Sequence, residues 1–334
     1  MGRRFVNQLG NQEAVNETFL ASNKQLRSNR NGNLYLMLEL ADNSGSIGAR
    51  LWNANEATYQ SFQNGDFVRV EGTTQVYQGA IQLIASRITP VSRDEVRLEE
   101  FMTLTSGQVE VMIDRIGKVL GEMQDPHLRA LAKAFLDDQE LMRHFAVTPA
   151  GVKHHHAYPG GLVEHVDRLM TVAARVADCY PQINRDLLLF GVFLHDIGKV
   201  QELSSEHGLA YTDQGQLIGH LVIAVQMLSD KIRETGARLE EPIPDETRLR
   251  LEHMIVSHHG QYEYGSPKLP MTLEAIALHY LDNLDAKIEC FDRLIRDDRN
   301  SESAWTIYHP SLGRKLYKGS PAEADDSRQN EASP

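Results

Sequence analysis

All fourteen histidines of this 334-residue chain fall between His127 and His309, and none stands before position 127. Charge divides in nearly the same place. Residues 1–92 carry 8 Lys and Arg against 7 Asp and Glu, whereas the remainder carries 26 against 39, within a net charge of −12. Length alone makes two domains the prior, and these asymmetries predict that the two are differently built. Hydropathy agrees. Leu34, Leu36, Leu38 and Leu40 alternate with Tyr35, Met37 and Glu39, the period-two pattern of a half-buried strand. Asn31-Gly32 before this run and Asp42-Asn43-Ser44-Gly45 after it are turn signals. Ile47, Ala49 and Leu51 then alternate with Gly48, Arg50 and Trp52.

A short helical stretch over residues 54–62 follows, closed by Asn64-Gly65-Asp66, and strands over 67–71 and 80–88 complete five within residues 19–88. Five strands with a helix between the third and fourth is the order of an OB-fold barrel, an architecture whose face binds oligonucleotides. Tyr35, Arg50 and Trp52, with Arg69 and Tyr77, offer stacking and phosphate contacts, worth about 1–3 kcal/mol per stacked base. The plain alternative is that they are rim residues of a barrel that only holds domains together.

The expected organisation is an OB-fold domain over residues 1–92, a helical connector over 93–150, an all-α helical bundle over 151–319 and a disordered acidic tail over 320–334. In the connector, Ser106 can cap one helix, and Asp125-Pro126 supplies a capping carboxylate and a first-turn proline for another. The longest apolar run, residues 187–194, is far short of the roughly 20 residues of a membrane span, and Met1-Gly2-Arg3-Arg4 opens no signal peptide. Cys179 and Cys290 stand far apart with no CxxC, so neither a disulfide framework nor a thiolate zinc site is indicated. A soluble, cytoplasmic protein is expected, and a homo-oligomer is compatible with the sequence.

The histidine-bearing region carries the chemistry. His165, His195-Asp196, His220, His258-His259 and Asp282 follow one another at gaps of 30, 25, 38 and 24 residues, one donor or pair per helix or helix end. Helical bundles build metal centres in this way, from facing side chains on separate helices. Imidazole mixed with carboxylate suits Mn²⁺, Fe²⁺, Co²⁺, Ni²⁺ or Zn²⁺ better than Ca²⁺ or Mg²⁺. His195-Asp196 follows an eight-residue apolar run, where a charge is costly unless paired or ligating metal. His127, His144, His207, His253, His279 and His309 lack such a setting and read as ordinary polar residues. His154-His155-His156 forms either a substrate-facing loop or polar surface. Lys199, three residues after Asp196, can share its helix face and hold a phosphate or stabilise a transition state; otherwise it is a solvated lysine at a helix end. Gly198-Lys199 is no P-loop, since Phe193 and Val200 stand where Gly and Ser or Thr are needed, and neither HExxH nor GxSxG occurs.

His165, His195-Asp196 and Asp282 resemble the ligand set of the HD superfamily of metal-dependent phosphohydrolases. The likeness extends further. The segments His154-His155-His156-Ala157-Tyr158-Pro159-Gly160-Gly161-Leu162-Val163-Glu164-His165, Leu194-His195-Asp196-Ile197-Gly198-Lys199, Gly219-His220, Ser257-His258-His259-Gly260-Gln261-Tyr262-Glu263-Tyr264-Gly265-Ser266-Pro267 and Ala277-Leu278-His279-Tyr280-Leu281-Asp282-Asn283-Leu284-Asp285-Ala286-Lys287 resemble the YhaM-type 3′–5′ exoribonucleases, in which an OB-fold precedes an HD domain. Pro159 departs from the pattern, standing where a different small or apolar residue is expected. The resemblance implies Mn²⁺-dependent hydrolysis of single-stranded RNA, or of single-stranded DNA, from the 3′ end to nucleoside monophosphates.

On that reading His165, His195, Asp196 and Asp282 hold one ion and His220 with His258 or His259 another. Asp196 bridges them, Asp196 and Lys199 act in catalysis, and Trp52, Tyr35, Arg50, His155 and His156 hold the strand. Two ions add about +4 charge to an acidic domain that would otherwise repel RNA. Two other readings stand beside this one: an HD phosphohydrolase of small or cyclic nucleotides, and a non-catalytic nucleic-acid-binding regulatory protein.

Overall fold

The structure is a computed structural model of the chain and describes residues 3–29, 31–77, 80–101, 104–151, 158–204, 210–296, 298 and 303–319. The chain forms two compact units, Met1–Phe101 with Lys287–Pro334, and Met102–Ala286. Among the described residues no helix is long and apolar enough to cross a membrane.

The first unit is built on a closed barrel of β1 (Ala14–Ser28), β2 (Leu34–Asp42), β3 (Gly45–Trp52), β4 (Phe67–Tyr77) and β5 (Ala80–Val91), in the order β1-β2-β3-β5-β4. Parallel pairing of β3 with β5 and antiparallel pairing of β1 with β4 close it. The expected alternation holds from Leu36 onward, Leu34 being exposed at the start of β2: Leu36, Leu38, Leu40, Ile47, Ala49, Val68, Val70 and Leu83 fill the interior with Phe19. Helix α1 (Glu56–Gln60) sits between β3 and β4, capped by the Asn55 side chain. β4 runs past the expected end at Glu71. It crosses a bulge after that residue, and a Cβ at Gly72 would run into the Ile84 carbonyl oxygen, so only glycine lets β5 come this close.

The second unit is helical: α2 (Ser106–Gly121), α3 (Pro126–Leu136), α4 (Gln139–Phe145), α5 (Gly161–Cys179), α6 (Arg185–Leu194), α7 (Lys199–Glu202), α8 (Asp213–Leu217), α9 (His220–Leu239), α10 (Asp245–Ser257) and the first half of α11 (Leu273–Arg296). A two-residue ladder, β6 (Leu203–Ser204) with β7 (Ala210–Tyr211), interrupts the otherwise all-α pattern. Asp125 and Pro126 open α3 as expected, with the Asp125 carboxylate accepting from the His127 and Leu128 amides. At α2 the cap is Thr105 rather than Ser106, because Thr105 and Gln108 form a reciprocal capping box.

The stretch expected as a connector is divided between the units. Residues up to Phe101 are tied to the barrel: the Asn43 amide donates to Glu100 O at 3.0 Å, and the Phe67 and Phe101 rings meet edge-on at 4.8 Å. Beyond it, Ile116, Leu120, Leu131, Phe135 and Phe145 join Val166, Phe190 and Phe193 in one apolar core. The compact units divide the chain after Phe101 and after Ala286. The tail over 320–334 lies outside the described residues.

Candidate metal centre

His165, His195, Asp196, His220, His258 and His259 stand at or near helix ends, and Asp282 lies within a helix. His165 lies in the first turns of α5, and His195-Asp196 directly follow α6, whose residues 187–194 are all buried. His220 opens α9, His258-His259 directly follow α10, and Asp282 lies on α11. α5 and α10 both pack on α6, and α7 packs on α9, which brings these positions together.

Hydrogen bonds then fix which nitrogen each ring presents. His195 Nδ1 faces Val192 O at 2.7 Å and His258 Nδ1 faces Ile255 O at 2.8 Å. A carbonyl only accepts, so both rings carry a hydrogen on Nδ1 and turn Nε2 inward. The device is local: each histidine ends a helix and donates to the carbonyl three residues back. His165 and His220 are oriented from a distance. His165 Nδ1 lies 2.8 Å from Asp285 Oδ2, and His220 Nδ1 lies 2.9 Å from Glu202 Oε1, which also accepts the His220 amide at 3.0 Å.

The inward atoms form two groups that share Asp196. On one side His165 Nε2 stands 3.2 Å from His195 Nε2 and 3.3 Å from Asp282 Oδ1, with Asp196 Oδ2 3.4 Å from His195 Nε2. On the other, Asp196 Oδ1 stands 3.6 Å from both His220 Nε2 and His258 Nε2, and the His259 ring packs 4.3 Å from that of His258. Asp196 Oδ1, His220 Nε2 and His259 Nδ1 are buried and accept or donate no hydrogen bond. Orphaned buried polar atoms are costly. A cation would satisfy them, so the donor set fits divalent metal; His165-His195-Asp282, His195-Asp196-His258 and His220-His258-His259 each converge closely enough to ligate.

Electrostatics agree. Burial alone would push the His165 imidazole down, but Asp282 and Asp285 outweigh it and raise its pKa to about 9. Asp196 and Asp282 are held well below the usual carboxylate range in spite of burial, the first by Lys199 and His195, the second by His165 and His195. Burial, with His195 and His259 close by, pushes His258 well down and keeps its lone pair available.

Lys199 does not point to open surface. Its Nζ donates to Asp196 Oδ2 and to Ala150 O, both at 2.6 Å. On the barrel, Tyr35 and Trp52 are directly paired across β2 and β3, with ring centroids 5.1 Å apart, and the Arg50 guanidinium lies 5.9 Å from Trp52 and 5.3 Å from Tyr77. Arg69 instead donates to Asn16. His155 and His156 lie outside the described residues.

Sequence reasoning missed Glu202, Asp285 and His279. Each carboxylate stands one helical turn after an expected site residue (Lys199 and Asp282), a faint signal in an acidic chain. His279, read as ordinary, is buried and directs Nδ1 at His258 O, 2.8 Å away. Its ring abuts Gly260, which has φ +76°, and a Cβ there would collide with it.

Residues 162–287 match the HD domain family and residues 21–91 the OB-fold nucleic acid binding domain. Fold and site together define an HD-domain hydrolase preceded by an OB-fold. Three relatives narrow this. The 3′–5′ exoribonuclease YhaM of Bacillus subtilis (strain 168) is 38% identical over 307 residues, covering 92% of this chain and 95% of that protein. The protein of that name from Bacillus pumilus (strain SAFR-032) is 36% identical over 93% of this chain and 96% of its own. That from Listeria welshimeri is 38% identical over 83% and 87%. The chain belongs to the YhaM family of 3′–5′ exoribonucleases.

Proposed function

We propose that this chain is a metal-dependent 3′–5′ exoribonuclease acting in the cytoplasm, releasing nucleoside monophosphates from single-stranded RNA, with single-stranded DNA as an alternative substrate. The observation that carries this reading is Asp196, one buried carboxylate facing two sets of imidazole nitrogens, in a chain alignable over nine-tenths of its length with a named exoribonuclease. His165, His195 and Asp282 would hold one divalent ion and His220, His258 and His259 a second, with Asp196 shared. When bound, such ions, Mn²⁺ on this reading, supply Lewis acidity and lower the pKa of water so that it attacks a phosphodiester near neutral pH.

The chain's own residues prepare that chemistry. Lys199 anchors Asp196 through Oδ2, keeping it ionised and leaving Oδ1 to face His220 and His258. We assign Lys199 this positioning role in place of direct contact with phosphate. Glu202 and Asp285 fix the tautomers of His220 and His165, and a carboxylate behind an imidazole raises its strength as a donor. Tyr35, Trp52 and Arg50 would hold the incoming strand by stacking and charge.

Digestion of 5′-labelled single-stranded RNA with Mn²⁺, beside EDTA and Asp196→Ala controls, tests the reading. The expected result is a ladder shrinking from the 3′ end that both controls abolish. Intact RNA with metal-loaded protein would overturn it and favour a small-nucleotide phosphohydrolase.

A further inference from the structure

Residues 303–319 lie outside both matched domains, which end at 91 and 287. They form a small antiparallel hairpin with bridges at Trp305–Tyr317 and His309–Arg314. The Thr306 amide donates to Leu316 O at 2.8 Å and the Lys318 amide to Ala304 O at 2.7 Å, and Gly313, with φ +64°, makes the turn. Alternation assigns the faces. Thr306 and Leu316 turn inward and are 1% and 5% exposed; Trp305 and Tyr317 turn outward and are 49% and 57% exposed. The two rings stand 5.0 Å apart at 59°. An ion pair of Lys318 with the buried Asp298, at 2.7 Å, ties down the base, and the Arg314 guanidinium lies 5.5 Å from the Phe291 ring.

Two large rings held in water have a function more often than scattered surface apolar residues do. Their surroundings say which. Residues 303–319 contain Arg314, Lys315 and Lys318 and no Asp or Glu, in a chain of net charge −12. Lys318 is neutralised by Asp298, which leaves Arg314 and Lys315 exposed near the two rings; exposed aromatic rings beside such cations are the chemistry of single-strand binding, in which bases stack and phosphates pair with Lys and Arg. A second copy of the chain docking here through a two-fold axis would bring like charges face to face, which is unfavourable. The barrel repeats the composition, with Tyr35 and Trp52 5.1 Å apart beside Arg50.

We propose that the 303–319 hairpin is a second platform for single-stranded RNA, stacking a base against Trp305 and Tyr317 while Arg314 and Lys315 meet phosphates. The proposal rests on the exoribonuclease reading for its polymer, and it lengthens the strand held at one time.

The two tryptophans of the chain, Trp52 and Trp305, stand one on each platform, so single-tryptophan variants report on them separately. In full-length Trp52→Phe, whose circular dichroism should match the parent, only Trp305 emits. Titration with oligouridylate in EDTA, which leaves the RNA uncut, should quench that emission saturably. Trp305→Ala in the otherwise native chain should weaken binding of fluorescein-labelled oligouridylate by about tenfold. Unchanged Trp305 emission, while Trp52 in Trp305→Phe is quenched, overturns the second platform and leaves the exoribonuclease reading standing. Quenching of neither, with RNA left intact in Mn²⁺, overturns both. Trp305 emission that responds to dilution of the protein and not to RNA overturns the proposal in favour of a contact between copies.

Discussion

Asp196 meets two demands with two oxygens, and its neighbours decide how well it does so. Glu202 touches no metal position itself, yet it accepts both the amide and the ring N–H of His220. Glu202→Gln keeps the shape and removes the charge. It should weaken divalent-metal affinity by about 10–100-fold, measured by titration calorimetry; unchanged affinity and stoichiometry would remove its positioning role. His165 gives a pH dependence of definite sign. Burial opposes its protonation, but Asp282 and Asp285 raise its pKa from 6.5 to about 9 in the metal-free protein. That contribution to stability is full below pH 6.5 and is lost as pH rises through about 9. A cation competes for the same lone pair, so metal affinity should rise over the same interval. Thermal unfolding in EDTA and in Mn²⁺ across this range should therefore diverge with pH, and parallel curves would contradict the assignment. At this scale His195 and Asp196 were legible because polar residues after a buried run demand partners. Glu202 and Asp285 were not, because what a carboxylate touches is decided by which helices pack together.

Helix ends do much of the positioning. Asp138 caps α4 through the Leu141 amide at 3.0 Å and pairs with Lys231 of α9 at 2.9 Å. Asp138→Ala should cost about 1 kcal/mol, lowering Tm by about 2–4 °C for a unit of this size, with RNA cleavage retained. The Leu141 amide, and after it Lys231, hold the Asp138 carboxyl below its ordinary 3.8. Its contribution is present above that pH and fades as pH falls through the lowered value, so the variant and parent should converge in strong acid. The caps also show the limits of reading elements from sequence. Asp125-Pro126 was unambiguous because proline fits only the first turn. Thr105 and Ser106 are adjacent hydroxyls, and only the spacing from Thr105 to Gln108 separates them. The extension of β4 rests on a bulge and on the close approach of β5 at Gly72, neither of which period-two alternation encodes.

At the scale of the whole molecule, the proposed function assigns strand holding to the barrel and bond breaking to the donor-bearing bundle. Trp52→Ala should raise KM for polymeric RNA by about tenfold or more, from the loss of a stacking contact, while leaving hydrolysis of a small phosphodiester ester unchanged. Equal losses on both substrates would place Trp52 outside strand binding. The two-part design was legible in the distribution of histidine and charge, since a barrel and a donor-bearing bundle draw on different residues. The packing of the middle stretch was not. Helices α2 to α4 have the polar, well-capped look of a linker, and only tertiary packing reveals Phe135 and Phe145 against Phe193. The shared carboxylate also constrains how such a centre can change by descent. A substitution at Asp196 strikes both donor groups at once, whereas drift at His220 or His259 erodes one and spares the other. Loss of Asp196 leaves neither donor group whole, so no exchange of one imidazole for another can make up for it.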